Sequence, residues 1–160
     1  MSAERDAFLA SANVSRETTD RLDKFATLIG RWSPRINLVA KGSMDQLWQR
    51  HIADSAQLFD LAPENFPNWL DLGSGGGFPG AVIAILAAEK VPNARITLIE
   101  SNQRKAVFLK SLARETGVRF SVIAQRVETL TRSRRSAWAI PTPRFAFEAP
   151  TSAASSPGRP

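Results

Sequence analysis

The chain has 160 residues, of which 43% are hydrophobic and none is cysteine, so it can form one domain with a substantial core. The lack of cysteine excludes disulfides, thiolate metal sites and a cysteine nucleophile. The net charge is +6, but residues 131–160 carry five arginines and a single acid, so charge alone supports a nucleic-acid partner only weakly. The longest apolar run is far shorter than the roughly 20 residues that span a bilayer, and we expect a cytoplasmic protein without membrane contact.

The first 65 residues are predicted to form a helical segment that packs on the rest of the domain. Apolar residues recur every three or four positions from Ser15 to Trp32, which indicates a helix with one buried face. A second helix is predicted to begin at Ser43, which together with Gln46 fits a capping box. Three tryptophans that fall within apolar patterns are expected in the core: Trp32, Trp48 and Trp69.

Residues 66–130 alternate between strand and helix signals. Apolar and β-branched runs predict strands at 69–72, 96–99 and 120–124, and helical patterns at 79–89 and 102–116 separate them. This order predicts an α/β fold with a parallel sheet and right-handed crossovers. Residues 131–160 contain five of the ten prolines and many Ser and Ala residues, so we expect them to be largely disordered.

A glycine-rich loop follows the first predicted strand, in the stretch LDLGSGGGFPG from Leu70 to Gly80. Glycines there let the backbone approach a ligand that a Cβ would hold away. A phosphate-binding P-loop would end in Gly-Lys-Ser/Thr, and a dinucleotide-binding loop would have glycine in place of Phe78. Neither motif is present, which makes both ligand classes poor candidates.

The same loop matches the acidic-x-Gly-x-Gly-x-Gly pattern of class I S-adenosylmethionine-dependent methyltransferases through Asp71, Gly73, Gly75 and Gly77. Glu100 ends the second predicted strand, where an acid can accept hydrogen bonds from ribose hydroxyls. In the alternative interpretation the glycines only form a tight turn, and Glu100 only begins a helix whose dipole favours an acid. The order of strand, loop, helix, strand and acid favours the cofactor site.

Five segments together resemble one family, ribosomal RNA small subunit methyltransferase G, also called glucose-inhibited division protein B. The resemblance extends over residues 15–130, and Gly-Phe-Pro-Gly combined with an upstream His-Ile-x-Asp-Ser makes it specific. The segments are 36–39, 51–55, 70–80, 100–109 and 126–128.

The resemblance implies a Rossmann-like class I methyltransferase core preceded by a helical segment. It also implies methyl transfer from S-adenosyl-L-methionine to N7 of a guanine in 16S ribosomal RNA, with the RNA or the small ribosomal subunit as partner and a monomeric enzyme. By this likeness Gly73 and Phe78 contact the cofactor, Glu100 its ribose, and Val127 with Glu128 its adenine. Guanine N7 has an available lone pair, so no general base is required, and we assign neither a catalytic residue nor a metal.

The sequence departs from the family after Glu128. The family continues into a fourth strand and a Ser/Thr-Arg-Ala segment, whereas residues 131–138 read TRSRRSAW. We therefore expect an incomplete sheet, and we hypothesise that a shifted reading frame produced residues 131–160. The alternative to an active methyltransferase is a non-catalytic, truncated fragment with residual cofactor or RNA binding, and a small-molecule methyltransferase is a third possibility.

Two further groups of polar residues have open roles. His51, Asp54 and Ser55 share one face of a predicted helix, with a structural role as well supported as one near the reaction pocket. Four cations follow Glu100 on the next helix, where they either contact RNA phosphates or form an ordinary solvated face. These are Arg104, Lys105, Lys110 and Arg114.

Overall fold

The computed structural model describes residues 3–133. Within that range six α-helices, a 3₁₀ turn, a π-helical turn and three strands follow in the order α1 (Ala3–Ala12), α2 (Arg16–Ile36), the 3₁₀ turn (Lys41–Ser43), the π-helical turn (Trp48–Ala53), α3 (Asp54–Asp60), β1 (Asn68–Leu72), α4 (Gly80–Lys90), β2 (Arg95–Ile99), α5 (Gln103–Thr116), β3 (Ser121–Ile123) and α6 (Val127–Ser133). The expected disordered tail lies outside the described residues, apart from 131–133 at the end of α6.

The three strands form one parallel sheet in the order β1-β2-β3, with α4 and α5 as the crossover helices. The predicted α/β fold with a parallel sheet is confirmed. Asn68 of β1 pairs with Arg95 of β2, and Thr97 of β2 pairs with Ser121 of β3, so the strands begin near one another. Their carboxyl ends meet at the opposite edge of the sheet.

Helix α2 supplies much of the core because its apolar residues lie on one face. Leu22, Phe25 and Ile29 are fully buried, and the helix packs against α4 and α5. Trp48 is buried, whereas Trp32 and Trp69 are half-buried against the core, which confirms their predicted structural role. No helix within residues 3–133 is both long and apolar enough to cross a membrane.

The region after α2 differs from the predicted second helix. The Ser43 hydroxyl donates to the Ala40 carbonyl at 2.9 Å, and the Gln46 N–H donates to the Ser43 carbonyl rather than to the hydroxyl. The predicted capping box is therefore wrong, since the Ser43 side chain bonds toward the preceding turn. Helical structure resumes at Trp48 as the π-helical turn and continues as α3.

The face of the sheet that carries Leu70 and Leu72 is exposed at β1, whereas Ile99 of β2 on the same face is buried. Asp71 of β1 accepts a hydrogen bond from Gly80 at the start of α4, so the alternating residues Leu70 and Leu72 face the other side. Their side chains are 54% and 56% exposed. Leucines in a parallel strand are ordinarily covered on both faces, so the described sheet is an incomplete version of the Rossmann-like sheet that the resemblance implies.

Candidate functional site

The carboxyl ends of the three strands are joined by backbone hydrogen bonds around the glycine loop. The N–H groups of Gly73 and Ser74 donate to the Ile99 carbonyl at 2.8 and 3.0 Å. The Glu100 N–H donates to the Ile123 carbonyl at 3.0 Å. The loop, the acid after β2 and the end of β3 therefore form one structural unit, at the edge where parallel α/β sheets bind their ligands.

Two glycines at the top of this loop adopt left-handed backbone conformations. Gly73 has φ +79° and Gly75 has φ +53°, a region that side-chain-bearing residues rarely occupy. A Cβ added to Gly73 would meet no atom within 4 Å, so this part of the backbone borders open space. A ligand can approach the Gly73 backbone directly.

Glu100 is buried, and both of its carboxylate oxygens are fixed by backbone N–H groups. Oε2 accepts from Gly75 at 2.7 Å, and Oε1 accepts from Asn102 at 2.7 Å. Asn102 in turn caps α5 by accepting from the N–H groups of Arg104 and Lys105. Each carboxylate oxygen keeps acceptor capacity for one further donor.

Asp71 lies beneath the loop. It is buried, its Oδ2 accepts from the Gly80 N–H at 3.2 Å, and its carbonyl accepts from the Ser74 hydroxyl. Burial raises the pKa of Asp71 and the nearby Glu100 acts in the same direction, while the Ser74 side chain and the Gly80 N–H act in the opposite direction. The structure thus assigns Asp71 a role in holding the loop to the start of α4.

The lower part of the loop is tightly packed. This packing explains the glycines at both positions 76 and 77, although only Gly77 belongs to the predicted motif. A Cβ on Gly77, which has φ +93°, would lie 2.9 Å from the Ala81 Cβ and 3.2 Å from Phe25. A Cβ on Gly76 would lie 2.8 Å from the Leu38 carbonyl. Packing against neighbouring side chains therefore requires glycine at position 77 of the predicted motif. Gly76 lies outside the predicted motif, but packing requires glycine there as well. The uninterrupted run of glycines was the only sequence signal for this requirement.

Phe78 connects the loop to the only histidine. Its ring lies 5.0 Å from the His51 ring and 5.0 Å from the Phe25 ring, measured between centroids. The His51 Nε2 is 3.1 Å from the Ser43 hydroxyl, and the Ser55 hydroxyl donates to the His51 carbonyl. Burial lowers the pKa of His51, and the nearby Asp54 partly opposes this. The upstream His-Ile-x-Asp-Ser stretch therefore contacts the loop through His51.

The remaining predicted pair lies just beyond the end of β3. Val127 and Glu128 begin α6, where Val127 is half-buried and Glu128 is exposed with its carboxylate 3.6 Å from Arg126. The Gln103 side chain donates to the Ala124 carbonyl at 3.1 Å, which joins this segment to the start of α5. The segment between β3 and α6 is therefore held next to the start of α5.

Comparison with known proteins identifies the family. The model of the rRNA small subunit methyltransferase G family matches residues 18–142. The chain belongs to this family. It is 56% identical over 117 residues to ribosomal RNA small subunit methyltransferase G of Ruegeria sp. (strain TM1040), with 73% of the chain and 57% of the relative covered. The protein of the same name from Parvibaculum lavamentivorans is 50% identical over 127 residues, with 79% and 56% covered.

A methyltransferase family implies a methyl donor for its members. The chain spans a little over half the length of these curated relatives. The family match includes the whole described sheet and the glycine loop. Within residues 3–133 no cluster of three or more His, Cys, Asp or Glu side chains could hold a metal ion.

The four predicted cations of α5 lie toward different ends of this helix. Arg104 and Lys105 occupy the first turn, beside the Glu100 end of the sheet, whereas Lys110 and Arg114 follow toward the far end. A helix of 14 residues is about 21 Å long. The structure therefore does not bring these cations into one cluster, but spreads them along α5.

Proposed function

We propose that this chain binds S-adenosyl-L-methionine at the glycine loop and acts in methyl transfer to N7 of a guanine in 16S ribosomal RNA. Its partner would be the RNA or the small ribosomal subunit, in the cytoplasm, with the protein as a monomer. The observation that carries the proposal is the contact between the buried Glu100 carboxylate and the Gly75 N–H at 2.7 Å. This contact supports the proposal because it joins the glycine loop to the acid that we propose binds the ribose.

The hydrogen bonds of the loop favour a ligand without phosphate. The N–H groups of Gly73, Ser74, Gly75 and Gly77 all donate to acceptors within the protein. A pyrophosphate-binding loop instead directs such N–H groups at the ligand. The buried carboxylates of Asp71 and Glu100 also favour a ligand that carries positive charge, and the sulfonium of S-adenosyl-L-methionine is a cation.

The proposed roles of individual residues follow from their surroundings. Gly73 would admit the ligand to the backbone, Phe78 would provide an apolar wall, and Glu100 would accept hydrogen bonds from the ribose hydroxyls. Val127 and Glu128 would contact the adenine, while Asp71 and Gly77 hold the loop in place from below. When bound, S-adenosyl-L-methionine supplies an electrophilic methyl group. Since N7 of guanine has its own lone pair, the residues need only orient the reactants and exclude water.

Calorimetric titration of the 160-residue chain with S-adenosyl-L-methionine tests the cofactor site, using Gly73→Leu and Gly117→Leu as a matched pair. Both glycines have positive φ, and a Cβ at either position would meet no atom within 4 Å. The two substitutions therefore impose similar backbone strain. Gly73→Leu is expected to abolish saturable binding, whereas Gly117→Leu, at the far end of α5, should retain it. Equal binding by both variants would contradict the proposed site.

The exposed leucines of β1 favour one alternative function, that of a non-catalytic fragment that binds the cofactor without transferring its methyl group. Leu70 and Leu72 are 54% and 56% exposed. A methyl-transfer assay on unmodified small ribosomal subunits distinguishes the two functions. Transfer to guanine N7 supports the methyltransferase, whereas saturable cofactor binding without transfer supports the fragment.

A further inference from the structure

A groove lies at the amino ends of the strands, across the sheet from the glycine loop. Its volume is about 1020 Å³, and the first residues of all three strands contribute to it: Asn68, Arg95 and Ser121. The rest of its wall comes from α4, α5, Arg21 of α2 and the turns before β2 and β3. The groove is therefore separate from the proposed methyl-donor site.

Cationic side chains dominate this groove. Its lining has no Asp or Glu, and it has five cations: Arg21, Arg95, Lys110, Arg114 and Arg119. Within residues 3–133 only Arg21 among them has a carboxylate partner, Glu17 at 2.6 Å. The other four are exposed and come from β2, α5 and the turn before β3. Such a concentration of one charge around a concave surface creates a strong positive potential.

We propose that this groove binds the phosphate backbone of RNA, as a docking surface distant from the methyl-donor site. Four of the five cations are arginines, whose planar guanidinium groups match the geometry of phosphate. Phe120 is half-buried in the groove wall and offers a ring on which an unpaired base can stack. The choice of RNA over another polyanion rests on the function proposed above.

Helix α5 connects the groove with the methyl-donor site. Lys110 and Arg114 line the groove, whereas Arg104 and Lys105 lie on the first turn beside Asn102. Because the helix is about 21 Å long, RNA bound in the groove lies well away from the first turn of α5. The groove then holds RNA at a distance from the nucleotide that enters the methyl-donor site.

The test measures binding of a short, fluorescein-labelled single-stranded RNA of mixed sequence by fluorescence anisotropy, at about 50 to 200 mM NaCl. The groove variant combines Arg95→Gln, Lys110→Gln and Arg119→Gln. We expect its affinity to fall about 10-fold or more and the slope of log K against log salt to decrease by about 2, since three phosphate contacts are lost. Its calorimetric affinity for S-adenosyl-L-methionine should not change.

The matched control combines Lys24→Gln, Arg31→Gln and Arg35→Gln, which removes the same charge from exposed positions of α2 outside the groove. Equal loss of RNA affinity in the two triple variants would overturn the proposal, as would a folded wild-type chain that does not bind the RNA. Displacement of the RNA by poly-L-glutamate at equal charge concentration would also overturn it, because the groove would then serve an acidic protein segment. Groove-dependent RNA binding without cofactor binding would retain this inference and refute the proposed cofactor site.

Discussion

The two ends of the sheet have opposite chemistry. At the carboxyl end, two buried carboxylates lie next to left-handed glycines, and four backbone N–H groups of the loop are already bonded within the protein. At the amino end, five cations and no acid line a broad groove. Because parallel strands bring like ends together, a five-residue strand separates these environments by about 17 Å. One small sheet can therefore present a site for a small cationic ligand and another for a polyanion.

The largest expected effect is on stability, and it compares Gly77, packed at the carboxyl end of the sheet, with Gly117, which borders open space at the amino end. Gly77→Ala should lower the free energy of unfolding by about 3 kcal/mol or more, because the new Cβ adds overpacking against Ala81 and Phe25 to left-handed strain. Gly117→Ala introduces comparable strain in open space and should cost about 1–2 kcal/mol. Urea unfolding measures both. Equal losses would mean that the loop end is no more tightly packed than the groove end.

The second prediction compares residues at the two ends of β2, namely Glu100, which follows the strand, and Arg95, which begins it. Glu100→Gln removes a charged acceptor from the Gly75 N–H and should weaken S-adenosyl-L-methionine binding about 10-fold or more without changing RNA affinity. Arg95→Gln, at the start of β2, should leave cofactor binding unchanged and reduce the salt slope of RNA binding by about 0.7. Calorimetry and anisotropy on both variants provide the check. If either variant impairs both ligands, the two ends do not act separately.

The smallest expected effect concerns pH. Because the folded-state pKa of His51 lies below its unfolded value of 6.5, folding excludes a proton. The contribution of this residue to stability is therefore complete above about pH 7 and declines as the pH falls through 6.5. Arginine and lysine side chains in the groove do not titrate in this range.

Urea unfolding of the wild type and His51→Gln between about pH 7 and pH 5.5 measures this contribution. The wild type should lose more stability than the variant. Since His51 is the only histidine, NMR titration of its ring gives an independent value of its pKa. A folded-state pKa at or above 6.5 would refute the prediction.

Local signals predicted most of the sheet and the loop. The strands begin and end within two residues of the predicted positions, and α5 spans Gln103–Thr116 where the sequence predicts a helix at 102–116. Short-range chemistry, namely side-chain periodicity, capping and glycine, determines these features. The capping box at Ser43 failed because the tertiary contact with His51 and the bond to Ala40 engage the same hydroxyl.

The amino-end groove could not be predicted, because its cations come from separate elements. Lys110 and Arg114 lie on one predicted helix, but Arg21, Arg95 and Arg119 join them only through tertiary packing. The close approach of Gly76 to the Leu38 carbonyl likewise depends on how α2 ends against the loop. Spacing along the chain contains no information on such contacts between distant segments.

The attachment of α2 to α4 has a consequence for the protein while it is being synthesised. The N–H and hydroxyl of Ser15 and the hydroxyl of Thr18 all donate to the carboxylate of Glu89, which lies 71 to 74 residues later in the chain. At about 5–20 residues per second, translation takes roughly 4–15 s to cover that interval. During this time α4 has not yet been synthesised, so the apolar face of α2, including Phe25, lacks this partner in the core. In this interval the apolar face of α2 is available for non-native contacts, which makes this stage of synthesis the one most exposed to aggregation at this helix.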